Sequence, residues 1–152
     1  MLDDRNILVA YYTRTNNTEK VAKKLASKLK ANLDQISDIN DYSGILGFIK
    51  AGYSAYSKRT TNINTNEDPS DYDLVIICSP VWSGTIPPAI RTYCQEFDIP
   101  QSAWLLTCGN PNTTVKNLPL TTNSVRTIYK MDALKIKDND FKDELKEFIA
   151  MM

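Results

Sequence analysis

The stretch Asn6-Ile7-Leu8-Val9-Ala10-Tyr11-Tyr12-Thr13-Arg14-Thr15-Asn16-Asn17-Thr18 carries the reading of the fold. Its first half, residues 6–12, is short and almost wholly apolar. A strand that is apolar on both faces belongs inside a parallel sheet with helices packed on either side. The polar loop 13–18 interrupts the run. Beyond it Val21, Ala22, Leu25, Ala26 and Leu29 recur at helical spacing, while Lys20, Lys23, Lys24 and Lys28 face the other way. The order is therefore strand, tight polar loop, amphipathic helix.

The alternation continues along the chain. Residues 31–36 read as a second, weaker strand, and residues 73–79 (Asp-Leu-Val-Ile-Ile-Cys-Ser) are the clearest strand of all. Pro80 ends that run, and Pro87-Pro88 opens a helix, since proline is preorganised for a first helical turn. Ile90, Tyr93, Cys94 and Phe97 line one face of it. Residues 103–107 and 124–131 read as the fourth and fifth strands, with room between them (113–122) for only a turn or two of helix. Asp138 is expected to cap a last helix whose Phe141, Leu145, Phe148 and Ile149 face inward. Residues 41–56 have a rough helical period broken by Gly44, Gly47 and Gly52, and residues 57–71 read as a long loop. This pattern predicts the α/β class, a single doubly wound five-stranded parallel sheet with helices on both faces, in one domain over 1–152.

Composition removes several functions. Eighteen basic residues balance eighteen acidic ones, so nothing argues for nucleic acid, which needs a concentrated basic surface. No apolar run approaches the roughly 18 residues of a membrane span. Met1-Leu2-Asp3-Asp4-Arg5 is too polar for a secretion signal, and Cys78, Cys94 and Cys108 fit neither an even disulfide set nor a close-spaced metal site. The expectation is a reduced, cytoplasmic protein. The chain has no histidine, which excludes Ser-His-Asp and Cys-His nucleophiles and His-ligated zinc. The acidic run through 138–144 lacks the glycine of a calcium loop and reads as a charged helix start.

In such a sheet the ligand sits at the carboxyl ends of the strands, at the topological switch point. Three loops of unusual content leave those ends: 13–18, 79–86 and 107–113. In the first, Thr13-Arg14-Thr15-Asn16-Asn17-Thr18, unpaired backbone N–H groups and the helix dipole favour an anion, and the Thr13, Thr15 and Thr18 hydroxyls and the Arg14 guanidinium add donors. The same residues also fit a plain polar loop with Asn17 or Thr18 as N-cap. Trp82, within Ser79-Pro80-Val81-Trp82-Ser83-Gly84, either stacks on a planar ligand or braces its loop against the next helix. Cys108-Gly109-Asn110 either offers backbone donors to a ring edge or makes an ordinary turn. Cys108 is also a candidate redox thiol, whereas Cys78 and Cys94 read as core.

Taken together these residues resemble the flavodoxins and flavodoxin-like FMN oxidoreductases. The family's phosphate loop is Thr/Ser-x-Thr-Gly-x-Thr; Thr13, Thr15 and Thr18 match it, and Asn16 replaces the glycine. Asparagine is among the side chains that best tolerate the positive φ a glycine would allow. Ser79-Pro80-Val81-Trp82-Ser83-Gly84-Thr85 with Pro87-Pro88 is similar to the family's first isoalloxazine loop, and Thr107-Cys108-Gly109-Asn110 to its second. The resemblance implies sheet order 2-1-3-4-5, FMN as cofactor, phosphate held by 13–18, ring stacking on Trp82, and ring-edge bonds from the backbone around Ser83-Gly84 and Cys108-Gly109-Asn110. It also implies a peptide flip at Gly84 or its neighbour, and electron transfer in which flavin cycles between oxidised, semiquinone and reduced states. The alternatives are an NAD(P)H-dependent quinone or nitro reductase, and a non-catalytic interaction module that has lost FMN. Expected partners are FMN and either a redox protein or NAD(P)H and quinone, with the chain a monomer or homodimer. Two departures stand out. Electron-shuttling members are usually acidic and this chain is neutral, and residues 107–114 hold no aromatic to cover the outer ring face, which leaves Tyr42, Tyr53 or Tyr56 for that task.

Overall fold

The first strand, β1 (Ile7–Tyr11), is buried along its whole length, as a run with no polar face requires. In a computed structural model, which describes residues 4–38, 62–119 and 124–152, it is followed by α1 (Asn17–Leu29), β2 (Asn32–Gln35), β3 (Ser37–Asp38), β4 (Ile63–Asn64) and a 3₁₀ turn at Pro69–Asp71. Then come β5 (Leu74–Pro80), α2 (Pro88–Glu96), β6 (Ser102–Cys108), β7 (Val125–Asp132) and two helices, α3 (Ala133–Lys137) and α4 (Lys142–Met151). The main sheet has five strands in the order β2-β1-β5-β6-β7, every pair parallel. Counted along this sheet the order is the expected 2-1-3-4-5. β3 and β4 form a separate antiparallel ribbon.

Alternation along the strands divides the interior into two layers. Ile7, Val9 and Tyr11 of β1, with Leu74, Ile76 and Cys78 of β5, meet Val21, Ala22 and Leu25 of α1 and Leu145 and Phe148 of α4. Leu8, Ala10, Val75, Ile77, Trp104 and Leu106 face the opposite way, onto Ala89, Ile90 and Tyr93 of α2. Helices therefore cover both faces, and β5 lies in the middle of both layers.

The structure corrects four local expectations. Asp138 does not open the last helix: it closes α3, its N–H returning to Leu134 O at 3.0 Å, and α4 begins at Lys142 after Phe141. The two helices are separated by Asn139 at φ 57°, a left-handed residue that ends α3, and α3 itself is capped by the Asp132 carboxylate on Leu134 N–H at 2.9 Å. Phe97 is not on the buried face of α2 but is its half-buried C-cap. Residues 113–119 carry no helix: this segment is irregular, with Asn117 at φ 59°, and is held by Lys116 N–H on Gly84 O at 2.8 Å. The stretch 57–71 is not all loop, since its described part contains β4 and the 3₁₀ turn, which Asp68 caps by accepting Ser70 N–H at 2.9 Å. The expected broken helix at 41–56, with Tyr42, Tyr53 and Tyr56, lies outside the described residues.

Among the described residues no helix is long and apolar enough to cross a membrane, and no group of acidic or thiol side chains is arranged to hold a metal ion.

Candidate functional site

Parallel register brings the three loops out of the same sheet edge: Tyr11 lies beside Cys78, and Pro80 beside Thr107. Cross-bonds then tie the loops together. Tyr12 N–H donates to Cys78 O at 3.1 Å, and Val81 N–H to Thr107 O at 3.1 Å. The buried hydroxyls of Thr18 and Thr107 meet at 2.8 Å. Thr107 thus touches the first loop through its side chain and the second through its backbone.

The first loop ends in Asn16 at φ 69°, ψ 0°, the left-handed conformation expected for the residue in the glycine position. Asn16 is the N-cap of α1, not Asn17 or Thr18, and its side chain makes no capping bond. Its carbonyl accepts the first helical bond, from Lys20 N–H at 3.0 Å. The N–H groups of Asn17, Thr18 and Glu19 have no acceptor among the described residues. In the same loop Thr13 Oγ1 is buried and has no hydrogen-bond partner among the described residues. A buried hydroxyl without a partner costs roughly 1–3 kcal/mol. Such an orphan, next to open helical N–H groups, suits an anion with several acceptor oxygens. Thr15 and Asn16 are exposed at the loop tip, and Arg14 and Asn17 are half-buried. Glu19, in the first turn, is balanced by Lys23 at 3.0 Å and accepts the Tyr11 hydroxyl at 3.2 Å. Burial and that carboxylate push the Tyr11 hydroxyl up to about 12.

In the second loop Ser79 is buried, its hydroxyl donating to Pro80 O at 2.9 Å, and Pro80 and Val81 are half-buried. Trp82 and Thr85 exchange both backbone bonds, at 2.7 and 3.0 Å, around Ser83 at φ 51° and Gly84 at φ 75°. Two positive φ values between reciprocally bonded residues mark a type I′ hairpin turn, and its second position favours glycine. The Trp82 indole is 8 % exposed and packs edge-on to Tyr12, centroids 5.6 Å apart and planes at 74°. It braces the loop in this structure, and Tyr12 is a partner that spacing alone does not reveal.

The third loop departs most from expectation. Cys108 is buried, with burial pushing its thiol up to about 11, so it does not have the accessible, acidified thiol of a redox switch. Gly109 and Asn110 are exposed, and a Cβ on Gly109 would meet nothing within 4 Å. Asn110 instead organises a turn, its carboxamide oxygen accepting Asn112 N–H at 3.0 Å and its carbonyl accepting Thr113 N–H at 3.0 Å. Burial also raises Cys78 and Cys94 to about 12, which agrees with their reading as core. Because these thiol values are raised on folding, their contribution to stability is whole below about pH 8.5 and is lost as pH climbs through 11 and 12. All three thiols are buried and burial disfavours their thiolates, so a thiol reagent should label none of the three cysteines until the chain unfolds. Rapid stoichiometric labelling of native protein would contradict this.

Residues that sequence patterns miss lie behind the second loop. Arg91, on α2, is 6 % exposed and donates from Nη2 to Thr85 Oγ1 at 2.8 Å, and Thr85 donates to Lys116 O at 2.9 Å. An arginine within an amphipathic pattern reads as solvent-facing, and only the all-round burial of α2 reveals otherwise.

Known proteins share this architecture. No curated protein matches the sequence. A flavoprotein from Lactobacillus acidophilus NCFM, solved in complex with FMN, superposes with a TM-score of 0.70 at 22 % identity, over 88 % of this chain and 97 % of its own. A protein from Bacteroides uniformis ATCC 8492 gives 0.71 at 20 % identity, over 95 % and 97 %. A flavodoxin, WrbA-like protein from Agrobacterium tumefaciens gives 0.55 at 12 % identity, over 98 % and 100 %. At these identities the likeness is one of fold. The family model described as Flavodoxin matches residues 6–152, from β1 to the last residue of the chain, and by that match the chain belongs to the flavodoxin family.

Proposed function

We propose that the protein binds FMN at the carboxyl edge of its sheet and serves in electron transfer. The observation that carries this reading is the buried, unpartnered Thr13 hydroxyl beside three open helical N–H groups, under an Asn16 already in the left-handed conformation. The FMN-bound relative from L. acidophilus, alike in fold, supports the choice of ligand. When bound, FMN supplies the redox chemistry, and none of it calls for a histidine from the chain.

The chain's own residues hold and orient. Thr13, Thr15, Thr18 and the N–H groups of Asn17 to Glu19 take the phosphate, with the α1 dipole adding to the attraction. The Thr18 and Thr107 hydroxyls share one hydrogen bond in which either can donate, so with Thr107 as donor the Thr18 proton is free for a phosphate oxygen. Trp82 gives the ring an aromatic neighbour and keeps water from one side. In the 82–85 turn the Ser83–Gly84 peptide is the one whose C=O and N–H have no partner among the described residues, so it is the group able to rotate toward a ring nitrogen. The Gly84–Thr85 peptide is already committed, its carbonyl to Lys116 and its N–H to Trp82.

Incubation with excess FMN, dialysis and a visible spectrum test the proposal. Retained flavin absorption with quenched tryptophan fluorescence is the expected result, and a colourless protein would sink it. Trp82→Ala should then weaken FMN roughly tenfold and shift its reduction potentials, as loss of an aromatic contact worth about 1 kcal/mol implies. Unchanged affinity and potentials would remove Trp82 from the site.

A reductase fed by NAD(P)H is the second reading, favoured by the even balance of 18 basic and 18 acidic residues, which lacks the net negative charge usual in members that dock redox partners. Stopped-flow mixing of the FMN-loaded protein with NADPH separates the two, because only a reductase bleaches its flavin rapidly with no second protein present. Three free, buried thiols support a reducing, cytoplasmic setting for either role.

A further inference from the structure

We propose that Arg91 is a positioning residue for the 82–85 turn, acting through the Thr85 hydroxyl to decide which peptide of that turn is available to a ligand. The inference rests on the FMN reading above. Its basis is a closed set of bonds. Arg91 Nη2 donates to Thr85 Oγ1 at 2.8 Å, Thr85 Oγ1 donates to Lys116 O at 2.9 Å, and Lys116 N–H donates to Gly84 O at 2.8 Å.

The chemistry of the groups gives these bonds a direction. A guanidinium only donates, so Arg91 occupies a lone pair of Thr85 and leaves its single proton to be aimed at Lys116 O. Residue 116 is thereby gripped at both its C=O and its N–H, by Thr85 and by Gly84. With Gly84 O so engaged and Thr85 N–H engaged on Trp82, the Gly84–Thr85 peptide cannot rotate without breaking two bonds. Rotation is left to the Ser83–Gly84 peptide. Arg91 and Thr85 are 6 % and 4 % exposed, so these bonds are shielded from water. Burying a guanidinium disfavours its charged form, and the Arg91 pKa falls accordingly. Nη2 meets part of that cost through Thr85 Oγ1, while Nη1 is buried without a hydrogen bond. Residues 113–118 gain a purpose in the same way: the irregular segment that stands where a helix is expected is the far side of the clamp.

The test uses the whole chain as wild type, Thr85→Val, Thr85→Ser and the Arg91→Met/Thr85→Val pair, each checked for folding by near-ultraviolet circular dichroism. FMN and riboflavin affinities come from flavin fluorescence quenching, and reduction potentials from titration. Thr85→Val keeps the shape and removes the hydroxyl. It should weaken FMN and riboflavin by the same factor, about tenfold, because the ring side and not the phosphate side is disturbed. It should shift the potentials as well, and Thr85→Ser should restore both. Adding Arg91→Met to Thr85→Val should weaken binding no further. Wild-type affinities and potentials in a folded Thr85→Val variant would overturn the proposal, as would a loss confined to FMN or an additive Arg91 effect. A wild-type protein that binds neither flavin would instead overturn the FMN reading beneath it.

Discussion

Trp104→Ala is expected to lower the unfolding free energy by about 3–5 kcal/mol, the range for truncating a buried aromatic. Trp104 has no exposed surface and heads the fully buried side chains by size. It sits mid-strand on β6, beside Ile77 of β5, in the layer closed by Ile90 and Tyr93 of α2. Parallel strands on one side and a helix on the other leave the vacated space little freedom to collapse. Its indole N–H donates to Ser102 Oγ at 3.2 Å, so the variant also loses a buried polar contact. Urea titration of the ligand-free protein should show the midpoint falling with an unchanged slope. A loss under about 1 kcal/mol would mean that the layer repacks, contrary to the rigidity inferred from the sheet. The two tryptophans thus differ in what they support: Trp104 should cost stability, and Trp82 flavin affinity.

Thr13→Val should act with opposite signs on stability and on binding. In the ligand-free protein Thr13 Oγ1 is buried without a partner, so exchanging the hydroxyl for a methyl removes an unmet polar group at nearly constant volume. The variant should be more stable than wild type by about 1 kcal/mol. FMN affinity should fall on the order of tenfold to a hundredfold, the range for a lost hydrogen bond to a charged group, while riboflavin is hardly affected. Thermal unfolding without flavin and fluorescence titration with each flavin measure the two halves. Equal losses for FMN and riboflavin would take Thr13 away from the phosphate, and a less stable variant would show that the hydroxyl already has a partner.

Features set by near neighbours along the chain are legible in the amino-acid sequence. Residues 6–18 specify strand, loop and helix because an unbroken apolar run, a polar gap and a 3.6-residue period are local properties, and the φ 69° of Asn16 follows from its place in the motif. Features set by tertiary burial are not legible in this way. Arg91 looks solvent-facing because its charge fits the polar side of a helical pattern, yet α2 is buried from Pro88 to Cys94. The helix-free course of 113–119 is tied by bonds to Gly84 and Thr85, the latter 31 residues from Lys116, and no window of neighbours contains that information. Asp138 misleads for a different reason: two helices compete for one acidic run, and the left-handed Asn139 settles the boundary at a single residue. Within the site, the phosphate loop is the most legible part because hydroxyls, amides and an open helix end advertise their chemistry. The third loop is the least, since a Gly-Asn-Pro turn looks the same with or without a ligand beside it.

The position of β5 between β1 and β6 has a consequence for how the chain is made. Asn6 N–H closes onto the Asp73 carboxylate across 67 residues, and the whole of β1 waits for the strand that follows. At a synthesis rate of roughly 5–20 residues per second, β1 and α1 spend several seconds outside the ribosome before their central neighbour is available. During that interval the apolar β1 can pair only with β2, whose Leu33 is itself partly exposed in the finished protein. Rare codons just before residue 74 would lengthen the exposure and lower soluble yield, whereas the same codons after residue 108 would fall when β1, β5 and β6 have already been made.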